Sequence, residues 1–172
     1  RMEYGNVIPG LTIDGTPAPY GVVNEREVRA TAGIMFLIGI ITFYIIKTTG
    51  DYTSMYIVIP LFWFDFFLKS VFQPKYSIFG MLATLFVRNQ KPEWVGAIQK
   101  RFAWGMGLCL ASIMVIVALF MGIRGWPPFL ICMTCLTFMW LESALGICVG
   151  CRIYSWLLRK GILATPEHKP VC

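Results

Sequence analysis

The stretch Phe102-Ala-Trp-Gly-Met-Gly-Leu-Cys-Leu-Ala-Ser-Ile-Met-Val-Ile-Val-Ala-Leu-Phe-Met-Gly-Ile123 runs for 22 residues without a charged side chain. At 1.5 Å per helical residue it reaches about 33 Å, enough to cross the ~30 Å hydrocarbon core of a bilayer. A segment apolar on every side has no face to offer water, so it reads as a membrane span. Three further runs lie around it. Residues 30–46 carry no charge between Arg29 and Lys47, residues 52–68 are interrupted by Pro60 and Asp65, and residues 126–149 are interrupted by Glu142. Residues 76–87, set between Pro74 and Pro92, are too few to span and read as an interfacial or re-entrant helix. The fold class that follows is all-α: an integral membrane bundle of four transmembrane helices with an additional interfacial or re-entrant helix.

Composition agrees. Of 172 residues, 57% are hydrophobic and 14% charged, against about 45–50% and 25% in an average soluble domain. This excludes a disordered chain, a nucleic-acid-binding module and an ordinary cytosolic enzyme. The net charge of +6 therefore reports orientation in a lipid bilayer rather than affinity for nucleic acid. Counting Lys and Arg in alternate gaps between the spans gives 13 on one side and 2 on the other. The positive-inside rule then predicts both termini, and residues 69–101, in the cytoplasm.

The chain divides into an extended segment at residues 1–23, a four-span membrane domain at residues 24–161 and a tail at residues 162–172. Asn24 is expected to cap the first helix, with Glu27 completing a capping box. Residues 128–160 read as one long helix that leaves the lipid in its last third. Arg159 and Lys160 suit its C-terminal dipole and Gly161 its left-handed cap.

Six cysteines are present: Cys109, Cys132, Cys135, Cys148, Cys151 and Cys172. Two pairs have C-x-x-C spacing, which places both sulfurs on one helical face. Cys132 and Cys148 lie about 24 Å apart along a helix, so the pairs cannot share a site. Cys109, Cys132 and Cys135 read as small apolar packing residues. Cys148 and Cys151 meet the reducing side, where a permanent disulfide is disfavoured and a catalytic, redox or metal role is favoured. Arg152 beside them favours a thiolate, although a mid-helix position supplies no helix N-terminus. Gly146 and Gly150 form a G-x-x-x-G step for close helix approach, expected to bring Cys148 near Cys109. Cys148, Cys151, His168 and Cys172 also approximate the ligand spacing of a zinc site, which stands as the alternative; no other cofactor is predicted.

Carboxylates inside spans are costly and are functional candidates. Asp65 has Lys69 four residues on, a favourable helical ion pair. Glu142 has no partner on its own helix. It is expected to be protonated, to lie on a proton path or to pair across helices with Arg101 or Arg88.

Several motifs carry a family resemblance: Asn24-Glu-Arg-Glu-Val-Arg29, Pro74-x-Tyr-Ser with Gly80-x-Leu-Ala-Thr84, Lys100-Arg-Phe-Ala103 with Gly105 and Gly107, and Leu141-Glu-x-x-Leu-Gly-x-Cys-x-Gly-Cys-x-x-Tyr154. Over residues 22–172 the chain resembles a family of small bacterial membrane proteins catalogued as domain of unknown function four-three-nine-five. The resemblance implies four helices in a bacterial inner membrane and a connection with thioredoxin-like or sulfurtransferase partners. The function expected is thiol-redox or sulfur (persulfide) relay at the cytoplasmic face. Cys148 and Cys151 would be the exchanging pair and Cys172 a mobile partner thiol. The alternative is a non-catalytic accessory subunit of a larger membrane complex. A transporter is less compatible with so short a chain and so few charged pathway residues.

Overall fold

The computed structural model describes residues 4–164. It is an all-α bundle with four helices long and apolar enough to cross a membrane: Glu25–Thr49, Thr53–Phe72, Ala97–Phe120 and Trp126–Leu145. The chain is a multi-pass membrane protein. The regular α-helices are α1 (Glu25–Thr49), α2 (Thr53–Phe67), α3 (Ile78–Val87), α4 (Ala97–Met114), α5 (Trp126–Trp140) and α6 (Val149–Arg159). Spans two, three and four each end in a wider π-helical turn, at Leu68–Phe72, Val115–Phe120 and Leu141–Leu145. Large apolar side chains such as Leu37, Ile57 and Phe120 face outward, as expected where the solvent is lipid.

Two spans begin earlier than their uncharged runs. Span one starts at Glu25 rather than residue 30, and span three at Ala97 rather than residue 102. Glu25, Arg29, Lys100 and Arg101 all find protein partners, so their charges do not force the helices to end at the first ionic residue. Asn24 caps α1 as expected: its Oδ1 accepts from the Arg26 amide at 3.2 Å and also from the Glu93 amide at 3.1 Å.

That second bond belongs to a feature not visible in the hydropathy. Strands β1 (Thr12–Ile13) and β2 (Thr16–Pro17) form a small hairpin, and β3 (Val22–Asn24) pairs antiparallel with β4 (Trp94–Gly96). The register sets Val22 against Gly96, Val23 against Val95 and Asn24 against Trp94. This clasp ties the start of α1 to the start of α4. Behind it Val23, Val28, Val95, Ala97 and Trp104 form a buried cluster, with Tyr4 and Phe66 packed against it. The N-terminal segment is thus folded into the bundle end. The Tyr4 hydroxyl donates to the Lys69 carbonyl and its ring lies under the Arg101 guanidinium. Burial raises the Tyr4 phenol well above its usual range, against the lowering pull of Arg101, which keeps it a donor.

The short helix α3 packs along α1, burying Phe79, Ala83 and Val87 and presenting Met81, Leu82, Leu85 and Phe86 outward; it is apolar on both faces and, at ten residues, too short to span. Asp65 anchors it. The carboxylate is fully buried and pairs with Lys69 at 2.8 Å. Its other oxygen accepts from the Ser77 hydroxyl at 2.8 Å and the Phe79 amide at 3.2 Å. Ser77 in turn caps α3 by accepting from the Gly80 amide at 2.9 Å. Asp65 therefore works as a brace between α2 and α3. Ser77→Ala removes the cap and one bond to a buried carboxylate. It should cost about 1–2 kcal/mol and speed amide hydrogen exchange in residues 78–87 before the rest of the bundle.

The fourth span differs most from expectation. The single helix expected over residues 128–160 is broken in two. Gly146 has φ +66°, a left-handed conformation that ends the π turn, and the chain turns before α6 begins at Val149. Arg29 of α1 donates to the Ser143 carbonyl at 3.2 and 3.3 Å and to the Ala144 carbonyl at 3.3 Å. The carbonyls freed at the break are thereby satisfied by a side chain from another helix. The C-terminal end of α6 is as expected, with Gly161 at φ +71° just past Arg159 and Lys160.

Candidate functional site

Alternating helix direction brings the starts of α1 and α4 and the ends of spans two and four to one end of the bundle. The β3–β4 clasp, α3 and α6 lie at this same end. The Lys100 side chain, from the first turn of α4, is 1% exposed there. Its Nζ lies 2.8 Å from Glu25 Oε2 and 3.0 Å from Glu142 Oε1. Three helices are joined through one ammonium. Glu142 is thus paired across helices as expected, but with Lys100 rather than Arg101 or Arg88. One residue of helix turns a side chain by about 100°, which is why its neighbour goes elsewhere: Arg101 Nε donates to the Ser70 carbonyl at 2.8 Å. Arg88 is exposed.

The break at Gly146 changes the chemistry of the cysteines. Cys148 is the N-cap of α6, not a mid-helix residue. Its Sγ accepts from the Cys151 amide at 3.3 Å. Sulfur placed on helix N-terminal amides lies at the positive end of the helix dipole. The Lys100 ammonium is within electrostatic reach of both Cys148 and Cys151. The thiolate is the form of cysteine that attacks disulfides and binds metals; the surroundings of this pair are the amide end of α6 and Lys100, itself shared by Glu25 and Glu142. Both cysteines are buried, at 8% and 3% exposure.

The position of α6 rests on one glycine. A Cβ on Gly150 would lie 2.5 Å from Ala103 Cα, so only glycine permits this approach of α6 to α4. The Phe102 and Tyr154 rings meet beside it at 5.5 Å. The expected G-x-x-x-G step is divided: Gly146 is a helix terminator and Gly150 alone is the contact. Cys148 meets the first turns of α4, while Cys109 is exposed further along that helix. Cys132 and Cys135 line a half-open apolar cavity of about 580 Å³ that also touches Glu142 and Cys148. His168 and Cys172 lie outside the described residues.

A family model described as "Domain of unknown function (DUF4395)" matches residues 23–159. The chain belongs to this family. No curated protein and no solved structure matches it. The DUF4395 match opens within β3 and closes at the last residue of α6. It therefore contains Glu25, Lys100, Glu142, Cys148 and Cys151, and excludes His168 and Cys172.

Lys100 and Glu25 were not singled out by sequence reasoning. The available signal was Glu142 itself: a carboxylate inside a span with no partner on its own helix requires a cation from another. Which cation depends on helix rotation, and Lys100 and Arg101 are equally basic neighbours in the sequence.

Proposed function

We propose that the chain carries out thiol–disulfide or persulfide exchange through Cys148 and Cys151 at the cytoplasmic face of a bacterial inner membrane, with both termini cytoplasmic. The observation that supports this most is Cys148 at the N-terminus of α6, accepting the Cys151 amide beside the Lys100 ammonium. Exchange begins when the Cys148 thiolate attacks a sulfur of a partner disulfide, forming a mixed disulfide and releasing one partner thiolate. The Cys151 thiolate then attacks Cys148 Sγ, closing a Cys148–Cys151 disulfide and releasing the second partner thiolate. The reverse sequence oxidises a partner dithiol. The chemistry suits a thioredoxin-like protein or a sulfurtransferase.

A trapping experiment tests it. In Cys151→Ser the second attack is removed, so a mixed disulfide on Cys148 should accumulate in intact membranes. It should be absent in Cys148→Ser. Mass spectrometry of Cys148 distinguishes an attached protein from a single added sulfur atom. Absence of both adducts, together with no alkylation of Cys148 in inverted membranes, refutes the proposal. A map of introduced cysteines that places position 75 outside the cell refutes the orientation.

A further inference from the structure

The half-open cavity between the spans has a charged side chain at each end and an apolar wall between. Lys47 and Arg124 line the end away from the β3–β4 clasp, and Glu142 lines the other. Glu142 is answered by Lys100. The two cations at the far rim are answered by no carboxylate. Lys47 is exposed, and the ion pairs among the described residues all lie elsewhere. Arg124 binds neutral groups only: it donates to the Ala118 carbonyl at 2.6 Å, the Ile123 carbonyl at 3.3 Å and the Tyr56 hydroxyl at 2.7 Å, and it lies 4.8 Å over the Tyr52 ring.

The two cations share one rim. Lys47 is in the last turn of α1 and Tyr52 just precedes α2, so an arginine stacked on Tyr52 stands against the turn that carries Lys47. Asp51 belongs to the same turn but does not line the cavity. Its Oδ1 already accepts from the Thr53 amide at 2.9 Å and hydroxyl at 2.6 Å. Two cations against one carboxylate leave the rim positive. Tyr52, Tyr56 and Trp126 are all exposed at this end, the aromatic pattern of a membrane–water interface. The rim therefore stands at the depth of lipid headgroups.

Below the rim the wall is built for a chain. From Trp126 to Glu142 the fourth span runs about 24 Å, while one leaflet supplies about 15 Å of hydrocarbon. A tail entering at the rim passes Thr42 on α1 and Ala111 on α4, reaches the level of Cys132 and Cys135, and stops short of Cys148. We propose that this cavity is a site for one anionic phospholipid of the surrounding bilayer, with its phosphate at Lys47 and Arg124 and an acyl chain along the wall below them. A head of net negative charge matches the surplus at the rim. A zwitterionic head would bring its own ammonium to a place that already holds two cations. The site is separate from the thiol chemistry and does not depend on it.

The test uses the full chain, stripped of lipid in a neutral detergent and titrated with phosphatidylglycerol or with phosphatidylethanolamine of the same acyl chains. Native mass spectrometry counts the lipids retained. One phosphatidylglycerol should bind per chain, about tenfold more tightly than phosphatidylethanolamine, since each cation at a lipid surface is worth about fivefold and Asp51 offsets part of the pair. Lys47→Gln removes an exposed side chain without touching the packing and should lower that preference about fivefold. Thr42→Phe and Ala111→Phe narrow the wall and should weaken both lipids while Lys47 and Arg124 remain. Glycerol phosphate, a head without a tail, should fail to displace the bound lipid. Equal binding of the two lipids overturns the inference, as does a preference that Lys47→Gln leaves unchanged. Several lipids retained per chain, insensitive to both filling variants, would mean a nonspecific lipid shell and overturn it too. So would displacement by glycerol phosphate.

Discussion

Lys100→Met is expected to destabilise the protein by about 3–5 kcal/mol, the usual cost of removing one member of a buried ionic cluster. For a chain of this size that corresponds to a fall of roughly 10 °C in the unfolding midpoint. The cause is the charge left behind. Lys100 is buried between Glu25 on α1 and Glu142 at the end of the fourth span. Without it two carboxylates face each other in a site from which water is largely excluded. Adding Glu25→Gln and Glu142→Gln to Lys100→Met should restore most of the loss, because a neutral trio no longer carries uncompensated charge. Thermal unfolding in detergent micelles reads both steps. If the triple variant unfolds as early as Lys100→Met, charge compensation is not what the lysine supplies.

The second large effect is expected at Gly150. In Gly150→Val the new Cβ would begin 2.5 Å from both Cα and Cβ of Ala103. A backbone atom cannot rotate away, so α6 must lift from α4. Overpacking of this kind typically costs about 1–3 kcal/mol. The sharper readout is local: Cys148 and Cys151 lose the cover of α4, and their alkylation should rise about tenfold as the helix opens. Gly150→Ala should show the same effect to a smaller degree. Ala103→Gly should not rescue Gly150→Val, because the obstructing Cα remains. Gly105→Ala is the control, since a Cβ there meets nothing within 4 Å. If Gly150→Val leaves alkylation of both cysteines unchanged, α6 does not shield them.

Much of the fold was legible without coordinates because the solvent imposes it. A helix in lipid must be apolar over about 20 residues, and that demand is local to each segment. The spans, the short helix before the third of them and the Asp65–Lys69 pair all follow from residues near one another in sequence. The β3–β4 clasp was not legible, because strands of three residues carry no periodicity and their partners lie some 70 positions apart. The break at Gly146 was also missed. Gly146 and Gly150 have identical spacing whether they form a packing step or a terminator and a contact. Only the Arg29 side chain, reaching from α1 to the carbonyls of Ser143 and Ala144, makes it affordable to end the helix there.

The sequence by itself determined that the chain spans a membrane four times, that its basic residues crowd one end of the bundle and that a C-x-x-C pair stands near that end. These are properties of composition and spacing, decided by the transfer of each segment from water to lipid. The tertiary structure decided what the pair can do. It set Cys148 at the start of α6 instead of within a continuous helix, chose Lys100 over Arg101 as the partner of Glu142, and opened an apolar cavity onto the sulfur. Those outcomes depend on the rotation of each helix about its axis and on where a neighbouring side chain satisfies a broken backbone. Both are fixed by packing between segments distant in the chain.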